Sequence, residues 1–307
     1  MHRSQPNCLG ILVALLCSVT GALGNVLIRK SHVSDRCGAL RWWAGSLFFF
    51  VVNPGLTILS LGLTKATVVV AVRHGLQVLW SLILCWAVIG EAVGLIHWIG
   101  SALLAVGVVI IIVESDHHSH QLGRLGSWES VLYLAVSCAF CVVGGIVATT
   151  VPKKYLVDAA PRFLLSVSAG ICGGLATVSN KLLVETAVAE VALLKDVSLQ
   201  LLINMCTNSE ILLYVALSVG SAGLQFVQMN RCLKHFDATY VVPVRKGAII
   251  ASGVWGSWAL FHETPHDRCL FILGFFLMMV GVVLLSLPAT SLVPDSEYSP
   301  ADIETAP

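Results

Sequence analysis

Charge is scarce in this chain. Asp, Glu, Lys and Arg together make up 11% of 307 residues, where soluble globular domains carry about 25%. Hydrophobic residues reach 57% and the mean hydropathy is +0.87. That balance excludes a domain that stays in water. No basic stretch mixed with aromatics is present, which excludes nucleic acid as a partner, and a net charge of +1 favours no partner of either sign. Neither a Gly-flanked nucleophile nor a phosphate-binding loop occurs, so the chain is not expected to be an enzyme or to hold a cofactor. Of the ten cysteines only Cys138 and Cys141 form a C-x-x-C, inside an apolar run and with no second pair, as packing of small hydrophobes would give.

What is present is apolar sequence in long runs. Nine segments are long enough to cross roughly 30 Å of hydrocarbon at about 1.5 Å per residue: 8–28, 41–62, 66–90, 95–114, 128–151, 163–185, 209–230, 238–261 and 269–288. Closely spaced glycines such as Gly21/Gly24, Gly100/Gly107, Gly170/Gly173 and Gly274/Gly281 let helix backbones approach in lipid. The expected fold is an all-α polytopic membrane protein of about nine transmembrane helices. Residues 186–208, interrupted by Glu190, Lys195 and Asp196, read as an interfacial helix rather than a tenth span. The run Cys8 to Ile28 is long for a signal peptide, so retention of the first helix is expected.

Residues 66–91 reappear at 238–263, always 172 positions later. Shared at that offset are Ala66/Ala238, Thr67/Thr239, Val69/Val241, Val70/Val242, Val72/Val244, Arg73/Arg245, Gly75/Gly247, Trp86/Trp258, Ala87/Ala259 and Glu91/Glu263. Gly100 with Val106-Gly107-Val108-Val109 likewise matches Gly274 with Val280-Gly281-Val282-Val283. Duplication of a membrane unit follows, a common build among secondary transporters. The divisions are a first repeat over 1–115, a loop and linking helix five over 116–162, a second repeat over 163–288, and an acidic, proline-bearing tail over 289–307 expected to be disordered and cytoplasmic.

Basic residues near helix ends give the orientation. With the N-terminus outside, the inner loops hold Arg29, Lys30, Arg36, Arg41, Lys153, Lys154, Arg162, Arg231 and Lys234, and the outer ones only Arg3, Lys65, Arg124, Lys195 and Arg268. The third and eighth helices then run antiparallel, which makes the repeat inverted and sends Arg73 and Arg245 into the membrane from opposite faces.

Arg41-Trp42-Trp43-Ala44-Gly45, Ala66-Thr67-Val68-Val69 and Gly90-Glu91, with Leu224-Gln225, Asn230-Arg231-Cys232-Leu233, Val241-Val242-Pro243 and Phe261-His262-Glu263, give the chain a likeness to a known group. It resembles the drug/metabolite transporter (EamA-like) superfamily, and within it the NIPA magnesium transporter family, over most of residues 10–288. The resemblance implies alternating access between two halves and carriage of Mg²⁺ or another divalent cation. Where the family has proline this chain has Ala71, and where the family has small or aromatic residues it has Arg73-His74 and Arg245-Lys246.

Those four residues are the candidate substrate-binding groups. Arg73 lies about 10 Å into its helix. The arginines either line a central cavity, where they suit an anion by bidentate contacts, or reach up to lipid headgroups. Candidates for a cation path are Glu91, Glu185 and Glu263 with the amides Asn25 and Asn180. The glutamates could equally close helical hairpins or pair with other helices, Glu185 with Lys181 one turn earlier, and the amides could bond across helices. His117, His118 and His120 form the one metal-like cluster, better suited to Zn²⁺ than to Mg²⁺, and otherwise a solvated loop. Three functions remain: a NIPA-like cation transporter, a carrier of a small phosphorylated or carboxylated metabolite using Arg73 and Arg245, or a non-transporting membrane scaffold. The expected partners are the lipid bilayer and a small-molecule or ion substrate.

Overall fold

The computed structural model describes residues 8–33, 37–64, 66–90, 93–114, 127–150, 159–194, 207–261 and 266–287. Among these the chain is helical, with no strand. In order the helices are α1 Cys8–Val33, α2 Gly38–Leu63, α3 Thr67–Ile89, α4 Leu95–Glu114, α5 Trp128–Thr150, α6 Ala159–Leu194, α7 Ser209–His235, α8 Ala238–Phe261 and α9 Arg268–Ser286. All but α8 are long and apolar enough to cross a membrane. The protein is an all-α, multi-pass integral membrane protein. Its outward faces suit lipid: Leu9, Leu12 and Leu16 of α1 and Ile272, Phe276 and Val283 of α9 are exposed, an arrangement that would aggregate in water.

Helix ends follow local chemistry. The Asn208 side chain accepts from the Glu210 N–H at 2.9 Å to start α7, and Asp267 accepts from the Cys269 N–H at 2.8 Å to start α9. Gly90 ends α3 in the left-handed region at φ 84°, where a side chain would be strained. One expected boundary moves. Where 186–208 read as a separate interfacial helix, α6 runs unbroken to Leu194, because Val184 to Leu194 contains no glycine or proline to stop it. Residues 195–206 lie outside the described residues.

The helices alternate in direction, so their ends gather in two layers. In one, Arg29 of α1 pairs with Asp237 at 2.9 Å and donates to the Leu233 carbonyl of α7, Lys30 donates to the Val88 carbonyl of α3, and Arg162 of α6 stacks 3.5 Å over Tyr240 of α8. In the other, Ser130 of α5 donates to the Ala259 carbonyl of α8, Lys181 of α6 donates to the Leu61 carbonyl of α2, and Glu114 of α4 accepts from the Asp267 N–H at 2.9 Å. Helix α8 thus reaches both layers. Pro243, Arg245 and Lys246 lower its hydropathy, and all three are buried in the bundle rather than turned to lipid.

Helices α4 and α9 pack through glycine. A Cβ on Gly107 would sit 2.5 Å from the Gly274 carbonyl, and one on Gly281 would sit 2.6 Å from the Gly100 carbonyl. The contact leaves no room for any side chain, and in lipid such close approach supplies the van der Waals contact that holds helices together.

Candidate functional site

Helices α3 and α8 cross in the middle of the bundle and carry the site. Helix α3 widens by one turn of π-helix at Ala71–Gly75, the turn that bears Arg73 and His74, a distortion often found at functional sites. Lys246 Nζ lies 3.1 Å from His74 Nδ1, and the two residues are 172 positions apart, the repeat offset itself. Beside them Arg245 Nη2 donates to Asn25 Oδ1 at 3.0 Å while its Nη1 meets the Met229 sulfur, and Arg73 donates to Asn53 Oδ1. His74, Arg245, Lys246, Asn25, Asn53 and Gln77 are all buried, and Arg73 is half-buried.

These side chains line a cavity of about 640 Å³ including its open mouth. Its enclosed part is about 70 Å³, room for roughly two waters or one small anion. Asn25, Asn53, Thr57, Gln77, Thr177, Asn180 and Gln225 add polar groups to the wall. Small residues make that room: a Cβ on Gly21 would sit 2.5 Å from both the Asn53 and Gln77 amide nitrogens, and one on Gly173 would sit 2.9 Å from Gln225 Cδ. Phe49 and Phe50 form one wall and pack on Phe226 with ring centroids 5.1 and 4.6 Å apart.

The electrostatics are one-sided. Arg73, Arg245 and Lys246 all line the cavity, and no aspartate or glutamate is among its described lining residues. The described ion pairs, Arg29 with Asp237 and Lys181 with Glu185, lie elsewhere. Several cavity atoms are buried without a hydrogen-bond partner: Arg73 Nε, Arg245 Nε, Asn25 Nδ2, His74 Nε2 and Gln77 Oε1. Arginine Nε and amide Nδ2 are donors only, and His74 Nε2 is a donor whenever Nδ1 accepts from Lys246. Such a wall has more donors than acceptors to spare, Gln77 Oε1 being the one acceptor among these atoms.

The structure therefore brings together Arg73, His74, Arg245 and Lys246, with Asn25 and Asn180, in one wall. Asn180 also accepts from Ser218 at 2.7 Å. Glu185 is separate, 3.4 Å from Lys181 one turn earlier. Glu91, Glu263, His117, His118 and His120 lie outside the described residues, and no group of His, Cys, Asp and Glu able to hold a metal ion occurs among those described. Cys141 faces Cys172 of α6 with sulfurs 3.0 Å apart, while Cys138 is exposed. Sequence reasoning passed over Gln77, although its place four residues after Arg73 puts both on one helix face. It had no signal for Met229, or for the meeting of His74 with Lys246. The chain matches no family model, no curated protein and no solved structure.

Proposed function

We propose that the chain is a membrane carrier of the drug/metabolite type, with nine spans in two inverted repeats, that moves a small anionic solute through the α3–α8 cavity by alternating access. The observation that carries this reading is the donor-rich wall: buried Arg245 and Lys246 with half-buried Arg73 and unpartnered N–H groups, and no carboxylate among the described lining residues. Uncompensated positive charge at membrane depth is costly, about 2.5–3.5 kcal/mol per residue on insertion scales. A carboxylate or phosphate would satisfy the guanidinium forks by paired hydrogen bonds and offset that cost. A scaffold has no use for such an arrangement.

Reciprocal contacts support the inverted repeat. Gly100 corresponds to Gly274 and Gly107 to Gly281 in the sequence match, and Gly100 touches Gly281 while Gly107 touches Gly274. Exchange of partners in this way is what a two-fold axis across the helices produces. Gly75 against Val108 repeats as Gly247 against Val282, within the halves. The layer holding Arg29, Lys30 and Arg162 is assigned to the cytoplasm, which puts the N-terminus outside.

Carriage of Mg²⁺, which the NIPA resemblance implies, finds less support in the cavity. Magnesium wants oxygen ligands, yet the Asn25 and Asn53 oxygens already accept from guanidinium groups and three cations would repel the ion. Purified protein in liposomes, assayed with inorganic phosphate, succinate, glycerol 3-phosphate and Mg²⁺, should take up one or more of the anions saturably. Uptake of Mg²⁺ with none of the anions would overturn the proposal.

A further inference from the structure

The contact between Lys246 and His74 does more than add positive charge to the wall. A hydrogen bond of 3.1 Å between an amine and an imidazole nitrogen holds one proton between two lone pairs. An ammonium or a neutral amine donates to a bare Nδ1, or a ring N–H donates to a neutral amine. In every case the pair holds at least one proton fewer than its full complement. Two further facts point to a use for that missing proton. His74 is buried, with the Gln77 amide of the same helix beside its ring and no carboxylate among the described cavity residues to fix its charge. And the pair joins residues at equivalent places of the two repeats, so it lies where the two halves meet, at the point reached from either side as access alternates.

From these observations we infer that His74 and Lys246 form a proton site, and that the carrier moves its anion together with one proton. This rests on the anion-carrier reading above. As an anion enters, one of its oxygens accepts from the Lys246 ammonium and breaks the Nζ–H···Nδ1 bond. The freed Nδ1 takes a proton from water, forming an N–H that donates to a second oxygen of the same anion, since negative charge beside the ring favours the imidazolium. On release to the other side the anion departs, Nδ1 returns its proton to water, and the bond to Lys246 forms again. A singly charged anion thus adds no net charge with its proton, and a doubly charged one adds a single negative charge for the arginines to offset.

The surroundings bear on which group takes the proton. Arg73 of α3 and Arg245 of α8 are the charged neighbours, and the thiols of Cys17 on α1 and Cys232 on α7 are the other titratable groups that act on this cluster. Helices α2, α6 and α7 present the neutral amides Asn53, Asn180 and Gln225. Helices α4 and α9 contribute Val108 and Val282 behind the crossing. Among the described residues no carboxylate competes for the proton, which leaves the pair as the one device there for holding it.

The test uses the full chain in liposomes loaded with a pH-reporting dye and offered inorganic phosphate, succinate or glycerol 3-phosphate. Anion uptake should acidify the lumen, and an inside-alkaline gradient should speed initial uptake severalfold. In His74→Gln, which keeps an acceptor for Lys246 but cannot gain a proton, uptake with and without the gradient should become equal. Anion uptake by the unaltered protein with neither luminal acidification nor gradient dependence would overturn the proton site and leave the anion carrier standing. Failure of every anion to enter would sink both. The acidification measurement needs no variant, so misfolding of His74→Gln would not obscure the result.

Discussion

The two places where segments that match in sequence touch have opposite characters. In the α4–α9 seam the partners are glycines, so close that no side chain fits between them. At the α3–α8 crossing they are His74 and Lys246, flanked by Arg73 and Arg245, around a space that is left open. A dry glycine seam stabilises the bundle and offers nothing to a solute. Cations with no described carboxylate beside them do the reverse, since uncompensated charge away from water is costly to the fold. Segments that match in sequence thus meet in one place to hold the bundle together and in another around a charged space.

The sharpest test separates flux from stability. Arg245→Gln should lower anion uptake at least about 30-fold, on the scale of about 2–5 kcal/mol for losing one side of a buried charged contact, while the melting temperature stays level or rises. A large loss of folded protein with flux per molecule intact would mean that Arg245 braces helices, and the contrast would collapse. Arg73→Gln combined with Arg245→Gln should cost less than the sum of the single changes if both arginines hold one solute.

Next comes the seam. Gly107→Val should destabilise by about 1–3 kcal/mol through overpacking against Gly274 and Met278, read by thermal unfolding in detergent. Uptake per folded molecule should hold. Should uptake vanish in protein that melts normally, the seam would be a moving part and not a fixed one.

A smaller effect sharpens the chemistry of the cavity. Arg245→Lys keeps the charge but loses the planar fork, so uptake should recover only part of what Arg245→Gln loses, to within about tenfold of the unaltered protein. Complete recovery would show that charge alone matters. The smallest effect belongs to the part-exposed Lys181–Glu185 pair: Glu185→Gln should shift stability by under about 1 kcal/mol and uptake by less than twofold. A strong loss of flux there would restore the cation path in which Glu185 was a candidate.

Much of this was legible in the sequence, for a physical reason. Lipid tolerates backbone only where its hydrogen bonds close on themselves, as in helices, so composition and run length marked nine segments as membrane-crossing, eight of which are helices long and apolar enough for it, and a repeat at one fixed offset marked Arg73 and Arg245 in a chain otherwise poor in charge. The end of α6 was misjudged because charge at Glu190 looked like a surface while the stretch lacked any residue that stops a helix. Partnership was out of reach altogether. An offset of 172 matches His74 to Lys246 along the chain, but whether two matched residues meet depends on how α3 and α8 cross. Nor does a sequence show that Asn25 and Asn53 are spent on guanidinium groups, that Met229 lies against Arg245, or that glycines at 21 and 173 leave a cavity open. Hydrophobicity and periodicity are properties of one segment and can be read along the chain. Burial, pairing and empty space are properties of several segments at once, and only their packing decided them.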